Sequence, residues 1–556
     1  DEYHNESKSE GNIGRQVMLS SEELLHYNAS VNDVHNIDVL LGVNTNKEQA
    51  FSMYGYGLRG VSDDVYYYNP QKVPPVVNHG TPEFPDYAAT RYYSSDFTEK
   101  RMVSYFGRLG YNYKQRYLLE FTFRRDGSST FGEGNRWANF PSVAVGWSFS
   151  EEPFIKRLTG GWLNWGKIRG SYGKSGQTFT SAYLAHGLMN IMDKSFFGKT
   201  GITTDKPVSP YLTWEKTRQY DLGLDMDMFN YRLNVKLDYY YKYTSSLIYD
   251  IPIPGSLYAF GAQVENAMEI SNEGLELELQ ADILRESAVS WRMKFNMARN
   301  WNRFEKSYSG KDVVDGDGTL LVVGRPLNGL YVWAHRGYYN SDAEVPRLYK
   351  IDGQEIYFNG VATNGISGAV GDYRLLDLDG DGNPDSYYAG SPLPLAHGGW
   401  VNELMWKNFD LNVLVNFTIG RKMINNRMGL GFSRQSEDGH LTKLFDYRKL
   451  RPWDGVNKKP NAPAWGNSLS MNTDSAIEKV HHLALKQITL GYNLPDRISK
   501  KAGLSGVRFF LTAENLFYLS NYSGGNPEVV NIYTGRDNGD TYPLPRKYTL
   551  GLTLNF

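Results

Sequence analysis

The densest ligand chemistry in the chain lies in nine residues, Asp377-Leu-Asp379-Gly-Asp381-Gly-Asn383-Pro-Asp385. Carboxylates stand at positions 1, 3, 5 and 9 with glycine at position 6, the pattern of the first nine positions of an EF-hand calcium loop. Hard cations need several oxygens, and glycine allows the sharp turn that brings those oxygens together. The twelfth position is Tyr388, where an EF-hand has a bidentate glutamate, and no helical pattern flanks the loop. The plain alternative is an Asp/Gly turn with solvated charge. Four aspartates in nine residues repel one another until something neutralises them, so the expectation is one hard divalent cation, Ca²⁺ before Mg²⁺. Asp377, Asp379, Asp381 and Asp385 would bind it by side chain and the region of Asn383 by its carbonyl. Such a site orders a loop and catalyses nothing.

Other candidates for chemistry are weaker. Gly173-Lys174-Ser175 ends like a phosphate-binding loop, but Ile168 stands where the leading glycine is required. His481-His482 lacks the spacing of a zinc-protease pair and reads as polarity at a strand entry. No Gly-x-Ser-x-Gly elbow occurs, and no pair of carboxylates can be placed for glycoside hydrolysis, so no enzyme is expected. Tyr66-Tyr67-Tyr68 and Tyr338-Tyr339 could stack on sugar rings or peptide side chains, although loop packing explains them more simply. With 59 Lys+Arg against 61 Asp+Glu the chain has no basic footprint for nucleic acid. The absence of cysteine excludes disulfides and thiolate metal sites. No apolar run reaches the 18 residues of a membrane helix.

The elements that would position these residues are strands. About fifteen segments alternate apolar with polar or small residues, near 12–27, 36–50, 101–112, 117–125, 140–149, 163–173, 217–226, 231–243, 273–281, 290–300, 399–406, 409–419, 482–493, 507–516 and 547–556. In the last of them Tyr548, Leu550, Leu552, Leu554 and Phe556 share one face, and Thr549, Gly551, Thr553 and Asn555 the other. Connections alternate between tight ones, such as Lys407–Asn408, and long ones of about 25–100 residues, such as 301–398. A soluble sandwich rarely spaces its strands so, whereas an outer-membrane barrel does, and tilted strands of about ten residues fit the hydrocarbon core. Tyr111, Tyr113 and Tyr117 flank one short turn, and Tyr239, Tyr241 and Tyr243 close one strand, as interface girdles would. Glu151-Glu152-Pro153 predicts a short helix with proline in its first turn. The predicted fold is all-β, a transmembrane antiparallel barrel. Bacterial barrels have even strand numbers, so fifteen strands cannot close, and the chain reads as the C-terminal part of a larger barrel. With a periplasmic C-terminus, the long loops are extracellular.

Several stretches resemble SusC-like TonB-dependent transporters of the Bacteroidetes (the SusC/RagA family). They are Ser104-Tyr-Phe-Gly-Arg-Leu-Gly-Tyr-Asn-Tyr-Lys-Gln-Arg-Tyr-Leu-Leu-Glu120, Arg125-Asp-Gly-Ser-Ser129, Phe140-Pro-Ser-Val-Ala-Val-Gly-Trp147, Lys167-Ile-Arg-Gly-Ser-Tyr-Gly173, Asn272-Glu-Gly-Leu-Glu-Leu277, Leu376-Asp-Leu-Asp-Gly-Asp-Gly382 and Tyr542-Pro-Leu-Pro-Arg-Lys-Tyr-Thr-Leu-Gly-Leu-Thr-Leu-Asn-Phe556. The resemblance implies a 22-stranded barrel with an N-terminal plug, of which residues 1–556 would supply about the last 15 strands, without plug or first strands. It implies residence in the bacterial outer membrane, in a lipid bilayer with lipopolysaccharide. It further implies energy from TonB through the N-terminal part and a SusD-like surface lipoprotein as lid. Tyr548, Leu550, Leu552, Leu554 and Phe556 then match the family's membrane-insertion signal. Two functions stay open: import of an oligosaccharide or peptide, or a platform on which other surface lipoproteins assemble.

Overall fold

In a computed structural model the described residues are 8–58, 76–78, 87–89, 91–179, 181–196, 199–204, 207–258, 260–285, 287–314, 320–345, 347–349, 355–357, 370–378, 385–426, 451–456, 459–464, 473–501, 503–539 and 541–556. Fifteen long strands dominate them: β1 Lys8–Val31, β2 His35–Leu58, β3 Arg91–Tyr113, β4 Tyr117–Ser128, β5 Trp137–Trp147, β6 Leu163–Gln177, β7 Glu215–Met228, β8 Leu233–Pro252, β9 Ala262–Leu284, β10 Val289–Lys306, β11 Ala396–Trp406, β12 Phe409–Asn425, β13 Ile477–Asn493, β14 Gly506–Ser520 and β15 Lys547–Asn555. Their order in the sheet is their order in the chain, and the short strand Arg536–Asp537 adds to β12 as a sixteenth. All fifteen alternating segments are thus strands, and the chain is all-β. Among the described residues β1 pairs only with β2, and β15 only with β14. No described helix is long and apolar enough to cross a membrane.

The chain forms two compact units. The first comprises Asp1–Val145, Ser171–Arg218 and Thr244–Met268. In it β1 and β2 pair without interruption from Lys8↔Leu58 to Val31↔His35, and β2 continues onto β3 from His35↔Tyr113 to Gly57↔Arg91. The tight turns put two successive residues at positive φ, Asn32 and Asp33 (53° and 56°), then Lys114 and Gln115 (54° and 58°). That left-handed pair matches the twist of the flanking strands. Strands of 23 or 24 residues exceed the roughly 9–11 that a bilayer needs. Periodicity marked only the part with one apolar face. Beyond it the strands carry polar residues on both faces, as in Lys8–Gly11 and Ser94–Asp96, and backbone pairing with the neighbouring strand extends them. A small core closes this unit's loops, where Phe131 stacks on Trp214 with ring centroids 4.9 Å apart and meets the edge of Phe179 at 4.8 Å.

The second unit comprises Gly146–Gly170, Gln219–Tyr243 and Glu269–Phe556. The predicted short helix is present as α1, Pro153–Thr159, with Pro153 in its first turn and Gly160 at φ 55° ending it. Tyr239, Tyr241 and Tyr243 lie in the middle of β8, which runs on to Pro252, so they do not close the strand. From β9 to β15 the cross-strand registers separate two faces. Leu550, Leu552 and Leu554 stand opposite Leu511, Phe509 and Val507, while Thr549, Gly551 and Thr553 stand opposite Thr512, Phe510 and Arg508. Leu550 and Leu552 are 82% and 53% exposed, which places the leucines outside.

The opposite face is polar and paired. Arg508 reaches across Gly491 to grip Asp410, with Nε–Oδ1 at 3.1 Å and Nη2–Oδ2 at 2.5 Å. A Cβ on Gly491 would sit 2.5 Å from that guanidinium, so glycine is what lets the arginine cross. Arg169 lies over Gly223 in the same way and binds Asp225 at 3.0 Å and Asp238 at 2.5 Å. Only the outer face suits lipid. Leu552→Arg should therefore cost about 2–4 kcal/mol of folding free energy where it meets the bilayer midplane, measured by denaturant unfolding in lipid vesicles. The same arginine at the inward Thr553 should cost far less.

Candidate functional site

The described parts of the long connections of the second unit are folded structure. Leu330–Trp333 pairs with Ser386–Gly390, and His335–Tyr338 with Tyr373–Leu375. Leu330, Val332, Ala389 and Ile424 form one core, and Met423, Val480, Tyr522 and Val530 another. Ile424 and Met423 belong to β12, so strand ends and loops share their apolar contacts. Arg421, 4% exposed, donates to the carbonyls of Pro527 at 3.1 Å and of Val530 and Asn531 at 2.9 Å each. A guanidinium has five donors in a fixed fork, so one side chain holds a whole turn of the segment 527–531. His335 Nδ1 pairs with Asp474, whose other oxygen accepts from the Tyr387 hydroxyl at 3.1 Å. Burial keeps the hydroxyls of this module neutral: it pushes Tyr331 up to about 12 and raises Tyr338 as well. Tyr338 stacks on Tyr373 with centroids 5.4 Å apart, and Tyr339 is buried. Internal packing therefore accounts for both rings; Tyr66, Tyr67 and Tyr68 lie outside the described residues.

The Asp-rich loop springs from this module. Leu376 N–H donates to Ala334 O and Asp385 N–H to Leu376 O, each at 2.9 Å, and the Asp385 carboxylate accepts from Leu378 N–H at 2.5 Å. Asp377 and Asp385 thus stand at the two ends of a loop pinned at its base. Asp379, Asp381 and Asn383 lie outside the described residues. Tyr388, at the twelfth position, packs against Tyr331 with centroids 5.7 Å apart and lies beneath Arg325. Among the described residues no three metal-binding side chains converge.

Tyr548, Leu550, Leu552 and Leu554, expected from the sequence to belong to an insertion signal, share the outward face of β15, and Phe556 follows it, 93% exposed. Gly173, Lys174 and Ser175 lie within β6, a strand, where no phosphate cradle can form. His481 and His482 are well inside β13, and His482 is buried. It lines a cavity of about 470 Å³ against the inward face of β10–β13, with Asn296, Gly399, Asn416, Thr418 and Glu528. Sequence reading missed this cavity. Gly398-Gly399 within an alternating strand was the available signal, since an interior glycine marks a close approach or an opening.

Comparison with known proteins fits this geometry. The sequence profile of the family described as TonB dependent receptor-like, beta-barrel matches residues 4–389. The chain is 30% identical to TonB-dependent receptor P26 of Formosa agariphila over 97% of this chain and 53% of the relative. It is 29% identical to TonB-dependent receptor SusC of Bacteroides thetaiotaomicron over 85% of this chain and 45% of the relative. In fold it is similar to the solved RagAB peptide transporter, with a TM-score of 0.79 at 22% identity, covering 100% of this chain and 57% of that one. The chain spans about half the length of the curated relatives it matches.

Proposed function

The chain belongs to the TonB-dependent receptor-like β-barrel family, and from that membership we propose that the complete protein is an active importer of the bacterial outer membrane. Its cargo is an oligosaccharide or peptide too large for open pores. A SusD-like lipoprotein closes the extracellular side, and TonB supplies the energy. The observation that carries this reading is the division of the strands into an exposed leucine-rich face and an ion-paired polar face, which suits a wall between lipid and an aqueous passage. Likeness to SusC and to the RagAB peptide transporter supports the importer and the lid. Tight turns such as Lys407–Asn408 mark the periplasmic side, and the folded connections are the extracellular surface on which a lid would rest. In cells, uptake of the cargo should stop when TonB is deleted and when the neighbouring lipoprotein is removed. Uptake unchanged without TonB would leave a platform for surface lipoproteins instead.

The Asp-rich loop belongs to the same reading as an ordering site. Asp377, Asp379, Asp381 and Asp385, with the carbonyl near Asn383, would bind Ca²⁺ and stiffen the surface presented to the lid. Support comes from the pinned base at Leu376 and Asp385, which brings the loop's ends together. Calorimetry on the full-length protein should show one Ca²⁺ site that Asp379→Asn with Asp381→Asn abolishes. Mg²⁺ should bind more weakly, because it demands near-ideal octahedral geometry and gives up its water reluctantly.

The last strand would carry the signal for assembly. Tyr548, Leu550, Leu552, Leu554 and Phe556 form an exposed apolar row ending the chain. Deleting Phe556 should lower the amount of heat-modifiable, folded protein in isolated outer membranes. An undiminished level would remove Phe556 from that role.

A further inference from the structure

Another cavity, of about 360 Å³, is lined by residues of the first unit alone. Strand alternation sets its character. Along β5 the buried Ala138 and Phe140 share one face, and the exposed Trp137, Asn139, Val143 and Val145 share the other. Gly173 of β6 lies against Ser142 on the Phe140 face, where a Cβ would sit 3.1 Å from that of Ser142. Lys174 therefore stands on the exposed side. Along β7 Lys216 and Arg218 share a face with Tyr220 and Leu222, which are 49% and 57% exposed. Thr217 and Thr244, whose hydroxyls meet at 2.9 Å, take the opposite face, so Ser245 of β8 is outward as well. Trp137, Asn139, Lys174, Lys216, Arg218 and Ser245 thus line the cavity from the outward side of four adjacent strands, and Phe140 and Trp214 of the small core also border it.

Three cations and no carboxylate line this space. Among the described residues none of Lys174, Lys216 and Arg218 is in an ion pair, whereas Arg508 and Arg169 on the polar face are each held by aspartate. Glu133 and Glu215 flank the lining in sequence without belonging to it, and Glu215 Oε1 accepts from Ile248 N–H at 2.9 Å. Like charges gathered in one cleft repel until an anion joins them, and a lining of single sign concentrates its field there. A guanidinium fork and two ammonium groups suit the several oxygens of a phosphate, and Asn139 adds a neutral donor. The strand at Gly173-Lys174-Ser175 forms no backbone cradle, but it delivers its lysine to this cluster. The location decides between occupants. The cations stand at the strand ends that lead into the connection 178–214, and the same outward face continues through Tyr220, Leu222, Val143 and Val145. Rings and aliphatic side chains below a basic cluster suit a lipid whose headgroup is anionic. Cargo passing along the polar inner face does not meet these side chains.

We propose that this cavity holds the phosphate of an outer-leaflet glycolipid, with Lys174, Lys216 and Arg218 on the phosphate and Asn139 on the adjoining sugar. The acyl chains then run along Tyr220, Leu222, Val143 and Val145. The site takes the orientation of the barrel from the importer reading and does not depend on import itself. The test titrates full-length protein in detergent with monophosphoryl lipid A, with its dephosphorylated form and with inorganic phosphate, read by native mass spectrometry. Monophosphoryl lipid A should bind the wild type. Lys174→Gln with Lys216→Gln and Arg218→Gln should weaken it at least about tenfold, the effect of one lost charge-assisted hydrogen bond. The dephosphorylated lipid should bind the wild type as weakly as the phosphorylated lipid binds that variant. Arg497→Gln with Lys500→Gln and Lys501→Gln, the same charge change on the helix Asp496–Lys501, should leave binding unaltered. Heat-modifiable migration on gels checks folding, and if the first triple variant does not fold, Lys216→Gln alone should show about a threefold loss. The site is overturned if monophosphoryl lipid A does not bind, if the folded variant binds it as the wild type does, or if the control variant loses as much. Equal binding of the dephosphorylated lipid, or displacement of the lipid by inorganic phosphate at matched concentration, overturns it as well. Cargo uptake that persists without TonB rejects import and leaves the lipid site standing, because lipid binding is read on purified protein.

Discussion

A strand in lipid has no water to satisfy its N–H and C=O groups, so every backbone group must find a partner in the neighbouring strand. The uninterrupted register of β1 on β2, and of β2 on β3, is that requirement met over more than twenty residues. Because the pleat has period two, register also decides which side chains face outward. From β9 to β15 the apolar set is continuous from strand to strand: Leu277, Met297, Val415, Leu490, Leu511 and Leu550 all belong to it. A slip of one residue anywhere would turn leucine inward and arginine outward. Pairing in lipid and segregation of faces are one constraint.

The polar face then has to manage charge in close quarters, and it does so by removing side chains. Gly491 lets Arg508 cross to Asp410, and Gly223 gives Arg169 its path to two aspartates. Phe510 instead lays its ring over Gly551, whose absent Cβ would sit 2.1 Å away. At Gly399 a Cβ would meet only ordinary contacts, Asn416 Oδ1 at 3.4 Å and Asn296 Oδ1 at 3.5 Å, and the wall there borders a cavity lined by carboxamides and an imidazole. The same device yields ion-pair bridges at one level of the wall and a cavity at another.

Outside the strands the second unit builds small cores that lean on the strand ends. Met423 and Ile424 are fully buried, although they lie near the end of β12, because Val332, Val480 and Val530 close over them. Arg421 holds 527–531 by its carbonyls, and the same segment presents Glu528 to His482. The position of this loop segment is thereby linked to the wall cavity through two neighbouring side chains. His335 with Asp474 ties a second segment, 473–476, to the module by a separate contact.

Local pattern determined a good deal of this. Alternation located all fifteen strands, and Pro153 after Glu151-Glu152 located the short helix, since both depend on neighbours along the chain. Alternation could not give strand length where both faces are polar, as in Lys8–Gly11, because there the partner strand holds the backbone extended. The long connections showed no period, so their paired segments and cores stayed hidden; they rest on contacts such as Val332 with Ile424, nearly a hundred residues apart. His482 reads in sequence as polarity at a strand entry. It becomes a buried imidazole, with no hydrogen-bond partner for Nδ1 among the described residues, only when four strands fall into register, a bulge at Lys486 turns it inward, and the segment 527–531 brings Glu528 beside it. Period and turn chemistry are encoded by adjacent residues; burial and convergence arise from residues brought together by pairing, and only the tertiary structure decides them.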